Sequence, residues 1–420
     1  MTYFPAPGNP LSGLGVPAPG APGITVWRAV LALAVVLVLL ATSGWTAVRK
    51  HQAEDGPRAA AVHAWKKASL AGRPLPAPDA PPRSIARYFA GLSRAQQRDL
   101  AARFPLVVGN LGGAPLELRY RANRTALFQA RDTERKRMRD ERLTEEGRSQ
   151  AEHRMHRFTS MLSPQRQILA FDPTGRGRAA EVFGDLRDAR RVSVVVPGVD
   201  TELLTFEKSA RQYAAPVGMA DALQQQQQHA TRPGVHTATI AWADYTAPAG
   251  LGVDAASGGD AEDGAVRLDD LVRALPATSA AAAPEVALFC HSYGSVVCGV
   301  AARRLPDSVT DIAVAGSPGM RADNAAQLGT RARVWAMRDG DDWIADVPHL
   351  DVGGLGHGAD PVADGFGARH LSARGAVGHT GYFVPHTGSL ANFAAIGTGA
   401  YQDIVCASSD PGCSLVPGTS

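Results

Sequence analysis

Residues Val286 to Gly299 read Val-Ala-Leu-Phe-Cys-His-Ser-Tyr-Gly-Ser-Val-Val-Cys-Gly, and no other stretch constrains this chain as much. An apolar run enters a turn of the form small–His–Ser–Tyr–Gly, and an apolar stretch able to form a helix leaves it. That is the pattern of a nucleophile elbow, a strand and a helix joined by a sharp turn with Ser292 at its tip. Strand and helix backbones pass close there, so the turn needs small residues two before and two after the serine. Gly294 meets that need. Cys290 stands where glycine is usual, small enough to fit but a departure from the strict pattern. The competing reading is a plain strand–turn–helix with an exposed serine, and context elsewhere in the chain has to separate the two.

A serine hydroxyl is a weak nucleophile, so it needs a histidine to take its proton and an acid to orient that histidine. Downstream of an elbow serine the acid comes first along the chain and the histidine second. The acid belongs after the strand Arg333 to Met337, where Arg338-Asp339-Gly340-Asp341-Asp342 supplies three candidates. Asp342 is the first choice and Asp341 the second, with Asp339 too near the strand's end. A turn that merely ends a strand is the plain alternative. The histidine belongs in a loop before the last helix, and His349, His357, His370, His379 and His386 compete. His379, in Gly-His-Thr-Gly-Tyr ahead of a helix signal at Ser389 to Ile396, fits the order best, and His357 follows it. An oxyanion needs two donors. The N–H of Tyr293 is one, and the N–H of Val199, after the strand-ending Val196-Pro197-Gly198, is the other. Ala315-Gly316-Ser317-Pro318-Gly319 is a decoy, because Pro318 has no N–H to offer beside Ser317.

Strand patterns recur at Gln167 to Phe171, Ala179 to Phe183, Arg191 to Val196, His236 to Trp242, Asp311 to Ala315 and Arg333 to Met337. Helical patterns at Ala265 to Leu275 and Ser295 to Leu305 separate them, which predicts a mostly parallel α/β sheet with an antiparallel start. Ahead of it, 84–166 reads as a helical extension with Ser93 as an N-cap, a possible strand at Leu116 to Tyr120, and charged helices to Met161. Residues 49–83 have the Ala-, Pro- and charge-rich composition of a linker. Gln224 to Gln228 and Gly250 to Gly264 read as solvated surface loops. The sheet and its helices extend over 167–402, and 403–420 is a tail.

Taken together, these segments resemble an actinobacterial family of α/β hydrolases of unassigned function. The resemblance rests on Pro105–Asn110 with Arg121–Arg124, Val195–Asp200, Trp242 with Tyr245, and Cys290–Ser295. His357–Pro361 with Phe366-Gly367, and Gly378-His379 with Tyr382-Phe383, complete it. It spans roughly residues 84–400. It implies an α/β-hydrolase fold with Ser292, Asp342 and His379 as the catalytic triad, and it implies no substrate. By analogy of fold, esters are the expected substrates, lipids among them. A peptidase, and a catalytically silent binding or envelope module of the same fold, are the rival readings. No zinc or calcium spacing is present and no cofactor is implied.

The formal net charge of +3 over 420 residues is too mild to suggest a nucleic-acid partner. After a Pro/Gly-rich opening (1–28), which reads as disordered, Ala29 to Val48 is an uncharged aliphatic run. It is long enough as a helix to cross a bilayer, with Trp27 and Trp45 near its ends. It reads as an uncleaved single-pass anchor in the cell membrane. A cleaved signal peptide is the rival reading, but the run is long for such a peptide and no convincing Ala-x-Ala site follows it. Positive charge is slightly heavier after the run (Arg49, Lys50, Arg58) than before it (Arg28), which argues for a catalytic part inside. Cys406 and Cys413, close enough to pair in an oxidising compartment, argue the other way. With a signal anchor ahead of a hydrolase, the expectation is a catalytic domain outside the membrane.

Overall fold

The β-branched run Arg191–Val196 becomes β3, the middle of an eight-stranded sheet, because alternate residues of these strands are buried on opposite faces. The computed structural model describes residues 56–230, 235–279, 283–349, 351–352 and 355–414. The strands are β1 Gln167–Asp172, β2 Arg178–Gly184, β3 Arg191–Val196, β4 Thr237–Ala243, β5 Glu285–His291, β6 Val309–Ala315, β7 Arg333–Met337 and β8 Arg369–His370. Their order across the sheet is β8-β7-β6-β5-β3-β4-β2-β1. Only β2 runs antiparallel to its neighbours, pairing β1 on one side and β4 on the other, so the antiparallel start and parallel body are both present.

The period-2 alternation places Val286, Leu288 and Cys290 of β5 in one core and Ala287 and Phe289 in the other. Helices α7 Gly259–Thr278 and α8 Gly294–Ala301 cover the first face, and α6 Pro216–Ala230 and α9 Gly388–Thr398 cover the second. Each fully buried Val, Leu or Phe contributes about 1.5–3 kcal/mol over its exposed state, so both faces must be covered. Strand order reverses beside β3, since β4 lies on one side of it and β5 on the other. In open α/β sheets the crevice at such a reversal, at the carboxyl ends of the strands, is where ligands bind. Ser292 and Val199 follow the carboxyl ends of β5 and β3 there.

The residues before the sheet form helices α1 Pro57–Lys67, α2 Pro82–Ala90, α3 Arg94–Arg103, α4 Leu116–Arg137 and α5 Glu145–Met161. Ser93 caps α3 in a full capping box with Gln96. Four expectations need correction here. Residues 56–83, composed like a linker, are folded: Trp65 is fully buried, stands edge-on to Phe104, and donates from Nε1 to the Pro76 carbonyl. One buried tryptophan outweighs a Pro-rich composition. Leu116 to Tyr120 is the first turn of α4, not a strand, with Leu116 and Leu118 turned into the protein. Gln224 to Gln228 lies on α6, where Gln224 is bonded to Thr237 and Thr239 and Gln227 Nε2 donates to Ser193 Oγ at 2.6 Å. The Gly250 to Gly264 stretch holds a short helical turn at Val253–Ala256 and the start of α7. The apolar run Ala29–Val48 lies outside the described residues. Among those described, no helix is long and apolar enough to cross a membrane.

Candidate active site

The elbow forms because β5 must turn into α8 over very little space. Ser292 takes φ +54°, a left-handed conformation that side chains other than glycine rarely adopt, and its N–H is held by the Ala315 carbonyl of β6. Strain of this kind, kept in place by surrounding bonds, is common at functional sites. Cys290 and Cys298 are joined in a disulfide between β5 and α8. The residue that departs from the usual glycine is therefore half of a covalent tie across the elbow.

Ser292 Oγ lies 2.9 Å from His379 Nε2, and His379 Nδ1 lies 2.8 Å from Asp342 Oδ1. The structure brings Ser292, His379 and Asp342 into one hydrogen-bonded chain. Asp342 Oδ1 also accepts from the Ile344 N–H at 3.0 Å, and Oδ2 from the Tyr382 hydroxyl at 2.5 Å. Burial pushes the Asp342 carboxyl up. The bonds from His379, Tyr382 and Ile344 outweigh burial and leave it below the ordinary carboxylate value. Burial, and then the Asp342 charge, push the Tyr382 hydroxyl up, so it stays a donor. The Trp343 ring packs on the imidazole with centroids 4.5 Å apart.

The backbone at Gly198 touches the nucleophile. A Cβ added there would sit 2.7 Å from Ser292 Cβ and 3.2 Å from the Tyr293 nitrogen. The peptide plane after it is set by Tyr245, whose buried hydroxyl donates to the Pro197 carbonyl at 2.6 Å and reaches the Gly198 carbonyl at 3.4 Å. In a trans peptide the N–H of Val199 then points away from Tyr245. The next residue is fixed as well, with Asp200 N–H on the Pro248 carbonyl and Asp200 Oδ1 accepting from the Gly250 N–H. Gly198 and Tyr293 thus border Ser292, and Val199 follows Gly198 in the chain.

The other candidates are elsewhere. His357 is buried against the Ala255 carbonyl and the Tyr293 ring. His349 approaches the Ser317 carbonyl, His370 lies on β8, and His386 is exposed in the turn before α9. Asp341 is exposed. Asp339 does other work: its Oδ2 accepts from the Gly378 N–H at 2.8 Å, and its own N–H donates to Tyr382 Oη, which pins the histidine's loop. Ser317 is engaged with Gly319, as the missing N–H at Pro318 implies, yet its neighbour Gly316 matters. At φ +56°, a Cβ on Gly316 would lie 2.8 Å from Asp342 Oδ2 and 3.1 Å from His379 Nδ1.

His291 was not among the sequence candidates. It is buried beside the serine, and its Nε2 lies 2.6 Å from the backbone carbonyl of His379. Burial, with repulsion from His379, pushes its imidazolium pKa down to about 4. The ring is therefore neutral, and because a carbonyl only accepts, Nε2 carries the proton and donates. Its place directly before the elbow serine was the available signal.

Comparison with known proteins finds related sequences. A family model described as alpha/beta hydrolase matches residues 172–352. An uncharacterized protein of Mycobacterium tuberculosis is 31% identical over 182 residues, covering 43% of this chain and 67% of the relative. A second M. tuberculosis protein, also uncharacterized, is 27% identical over 351 residues, covering 71% of this chain and 52% of its own length. Among solved structures, 2,6-dihydroxy-pseudo-oxynicotine hydrolase aligns at 12% identity and TM-score 0.29, covering 62% of this chain and 73% of its own. Dienelactone hydrolase from Anabaena variabilis aligns at 17% identity and TM-score 0.28, covering 44% and 78%. The chain belongs to the α/β-hydrolase family, in a branch whose actinobacterial members have no assigned function.

Proposed function

We propose that this hydrolase is a membrane-anchored serine esterase that works through an acyl-enzyme. The observation that carries the reading is the unbroken chain Ser292 Oγ–His379–Asp342, with bonds of 2.9 and 2.8 Å, on a serine held at positive φ. In the first step Ser292 Oγ attacks the ester carbonyl while His379 Nε2 takes its proton. Asp342 holds the imidazole in the tautomer that leaves Nε2 free to accept. The N–H groups of Val199 and Tyr293 bind the oxyanion. His379 returns the proton to the leaving alcohol, and the acyl group stays on Ser292. A water then gives its proton to His379 and attacks the acyl carbonyl, releasing the acid and restoring the serine.

The apolar run Ala29–Val48 would hold the enzyme at a membrane, where lipid esters are within reach. Two disulfides, Cys290–Cys298 and Cys406–Cys413, use all four cysteines and support a catalytic part outside the cytoplasm, where such bonds persist. Protease added to intact cells should then digest the catalytic part, and its protection until lysis would reverse the orientation.

The test of the chemistry is labelling by a fluorophosphonate, which reacts with activated serines. The full chain in non-ionic detergent should label, and the Ser292→Ala variant should not. A folded wild-type protein that takes no label would support a silent binding module of the same fold. Labelling with turnover of amides rather than esters would support a peptidase.

A further inference from the structure

A cleft of about 400 Å³ opens beside the triad histidine, lined by residues 209–214 on one side and by Thr380 and Val384 on the other. Thr380 directly follows His379, so one wall of the cleft belongs to the loop that carries the histidine. The 209–214 wall lies between the oxyanion loop and α6, and it ends in the short 3-10 turn Gln212–Ala214. Its chemistry is mixed. Tyr213 and Val384 offer carbon surface, Gln212 and Ser209 are polar, and Arg211 places a guanidinium on the wall.

The charge of Arg211 is not spent inside the protein. Among the described residues its guanidinium has no hydrogen-bond or ion-pair partner. The nearest acid in sequence, Glu207, is already bound by Arg157 at 2.8 Å and by Arg166 at 2.7 Å, Arg166 being shared with Glu181, so Glu207 is engaged without Arg211. Glu202 is held by Arg176 at 2.6 Å. Lys208 is exposed and adds a further positive charge to the same segment. Asp339, the carboxylate tied to the histidine's loop, already accepts the N–H groups of Gly378 and Asp341. The 207–211 segment, with Glu207, Lys208 and Arg211, therefore keeps one net positive charge, and Arg211 lines a cleft walled on its other side by the loop that follows His379.

We infer that this cleft is the subsite for one arm of the substrate, and that it selects an arm ending in an anionic oxyacid, carboxylate or phosphate, held by Arg211. Guanidinium matches both groups, because its planar fork can donate two parallel bonds to a pair of oxygens. Tyr213 and Val384 would pack on the carbon chain between that group and the ester. The inference rests on the serine-esterase reading above and adds the class of ester to it.

The experiment compares matched substrates on the full chain in non-ionic detergent at low salt. One pair is the 4-nitrophenyl monoester of glutaric acid and its neutral methyl diester. A second pair is an acyl glycerol phosphate and the corresponding acyl glycerol. The readout is the ratio of kcat/KM within each pair, so a general loss of activity cancels. Wild type should favour the anionic member about tenfold, which corresponds to about 1.4 kcal/mol. Arg211→Ala should bring the ratio close to one, and Arg211→Glu should invert it. Salt should weaken the wild-type preference, because an exposed charge pair is screened.

Preference for the glutarate alone, or for the glycerol phosphate alone, would tell a soluble half-ester from a lipid head group. Arg211 is exposed, so neither substitution threatens the fold, and unchanged thermal unfolding verifies that. Equal ratios in wild type and Arg211→Ala, with the neutral esters hydrolysed, overturn the subsite and leave the esterase standing. Absence of fluorophosphonate labelling and of all ester turnover brings down the esterase reading itself, and the subsite with it.

Discussion

The two halves of the site are held by different means. The nucleophile half is held by backbone and one covalent tie: the strained Ser292, the close approach of Gly198, the Ala315 carbonyl and a disulfide from β5 to α8. The acid–histidine half is built from side chains: Tyr382 on Asp342, Asp339 on the Gly378 N–H, and His291 on the His379 carbonyl. The first arrangement tolerates few substitutions because packing leaves no room. The second depends on hydrogen bonds whose partners are far apart in sequence, and each is open to a change of one atom.

The largest effect expected is loss of the chemistry. Asp342→Asn keeps the shape of the acid and removes its charge, and kcat should fall on the order of 10⁴-fold. A loss below tenfold would move the acid's role to another residue and sink the assignment. Below that come two glycines that test one half each. Gly198→Ala drives a methyl into Ser292, and Gly316→Ala drives one into Asp342 while also straining φ +56°. A displacement of about 1 Å at a reacting group costs on the order of 10²-fold in rate, and both variants should lose about that much kcat. In an Asp342→Ala background, where the acid is already gone and His379 remains as base, only Gly198→Ala should further slow the residual fluorophosphonate reaction through its effect on the oxyanion loop. Equal slowing by both in that background would erase the distinction between the halves.

Tyr382→Phe removes one hydroxyl from the side-chain half. A hydrogen bond to a charged group contributes about 1.5–3 kcal/mol, so stability near neutral pH should fall by roughly that amount and kcat on the order of tenfold. The pH dependence has a definite sign. Asp342 titrates below its ordinary value in the folded protein, so its bonds stabilise the fold above pH about 4 and that contribution is lost as pH falls further. The stability gap between wild type and variant should narrow below pH about 4. A gap that stays constant from pH 6 to pH 3 would show that the hydroxyl acts by packing alone.

His291 titrates in the same sense, over a higher pH window. Its folded pKa of about 4 lies below the ordinary 6.5, so the unfolded chain binds the extra proton between those values and stability declines as pH falls through that window. His291→Gln keeps a donor for the His379 carbonyl and removes the titration. The variant should hold its stability between pH 6.5 and 4 better than wild type, by up to about 3 kcal/mol, with kcat reduced only a few-fold. Parallel stability curves across that window would mean that the buried ring does not resist protonation.

Legibility in the sequence divided along the same line as the two halves. The elbow is one contiguous stretch, and the strands carry a period of two, so the sheet and Ser292 could be read from local pattern. Asp342 and His379 followed from chain order after the strand Arg333–Met337 and before the last helix. What supports them was not readable, because Tyr382, Asp339 and His291 act across the fold on partners up to 88 residues away. Gly316 was visible only as part of a decoy. Composition misled at Trp65, where one buried ring folds a Pro-rich stretch. It misled again at Gln224 and Gln227, whose amides satisfy Thr237, Thr239 and Ser193 inside the protein rather than facing water.

The smallest effect separates stability from catalysis. The two disulfides close loops of similar size, Cys290–Cys298 with separation 8 and Cys406–Cys413 with separation 7. Loop-closure entropy then assigns each about 2.5 kcal/mol of stabilisation through the unfolded chain. They differ in what they adjoin. Cys290 and Cys298 bracket Ser292, whereas Cys406 sits beside Leu371 and the Cys413 carbonyl accepts from Arg369 at the β8 edge of the sheet. Replacing either pair by alanine should lower denaturant stability by a similar amount. Only the Cys290→Ala/Cys298→Ala variant should also lose kcat, by a few-fold, because the backbone that holds Ser292 at positive φ loses its covalent tie. If both pairs cost the same stability and neither changes kcat, packing of Gly294 against the Val196 carbonyl holds the elbow without help, and the cysteine at the usual glycine position serves stability alone.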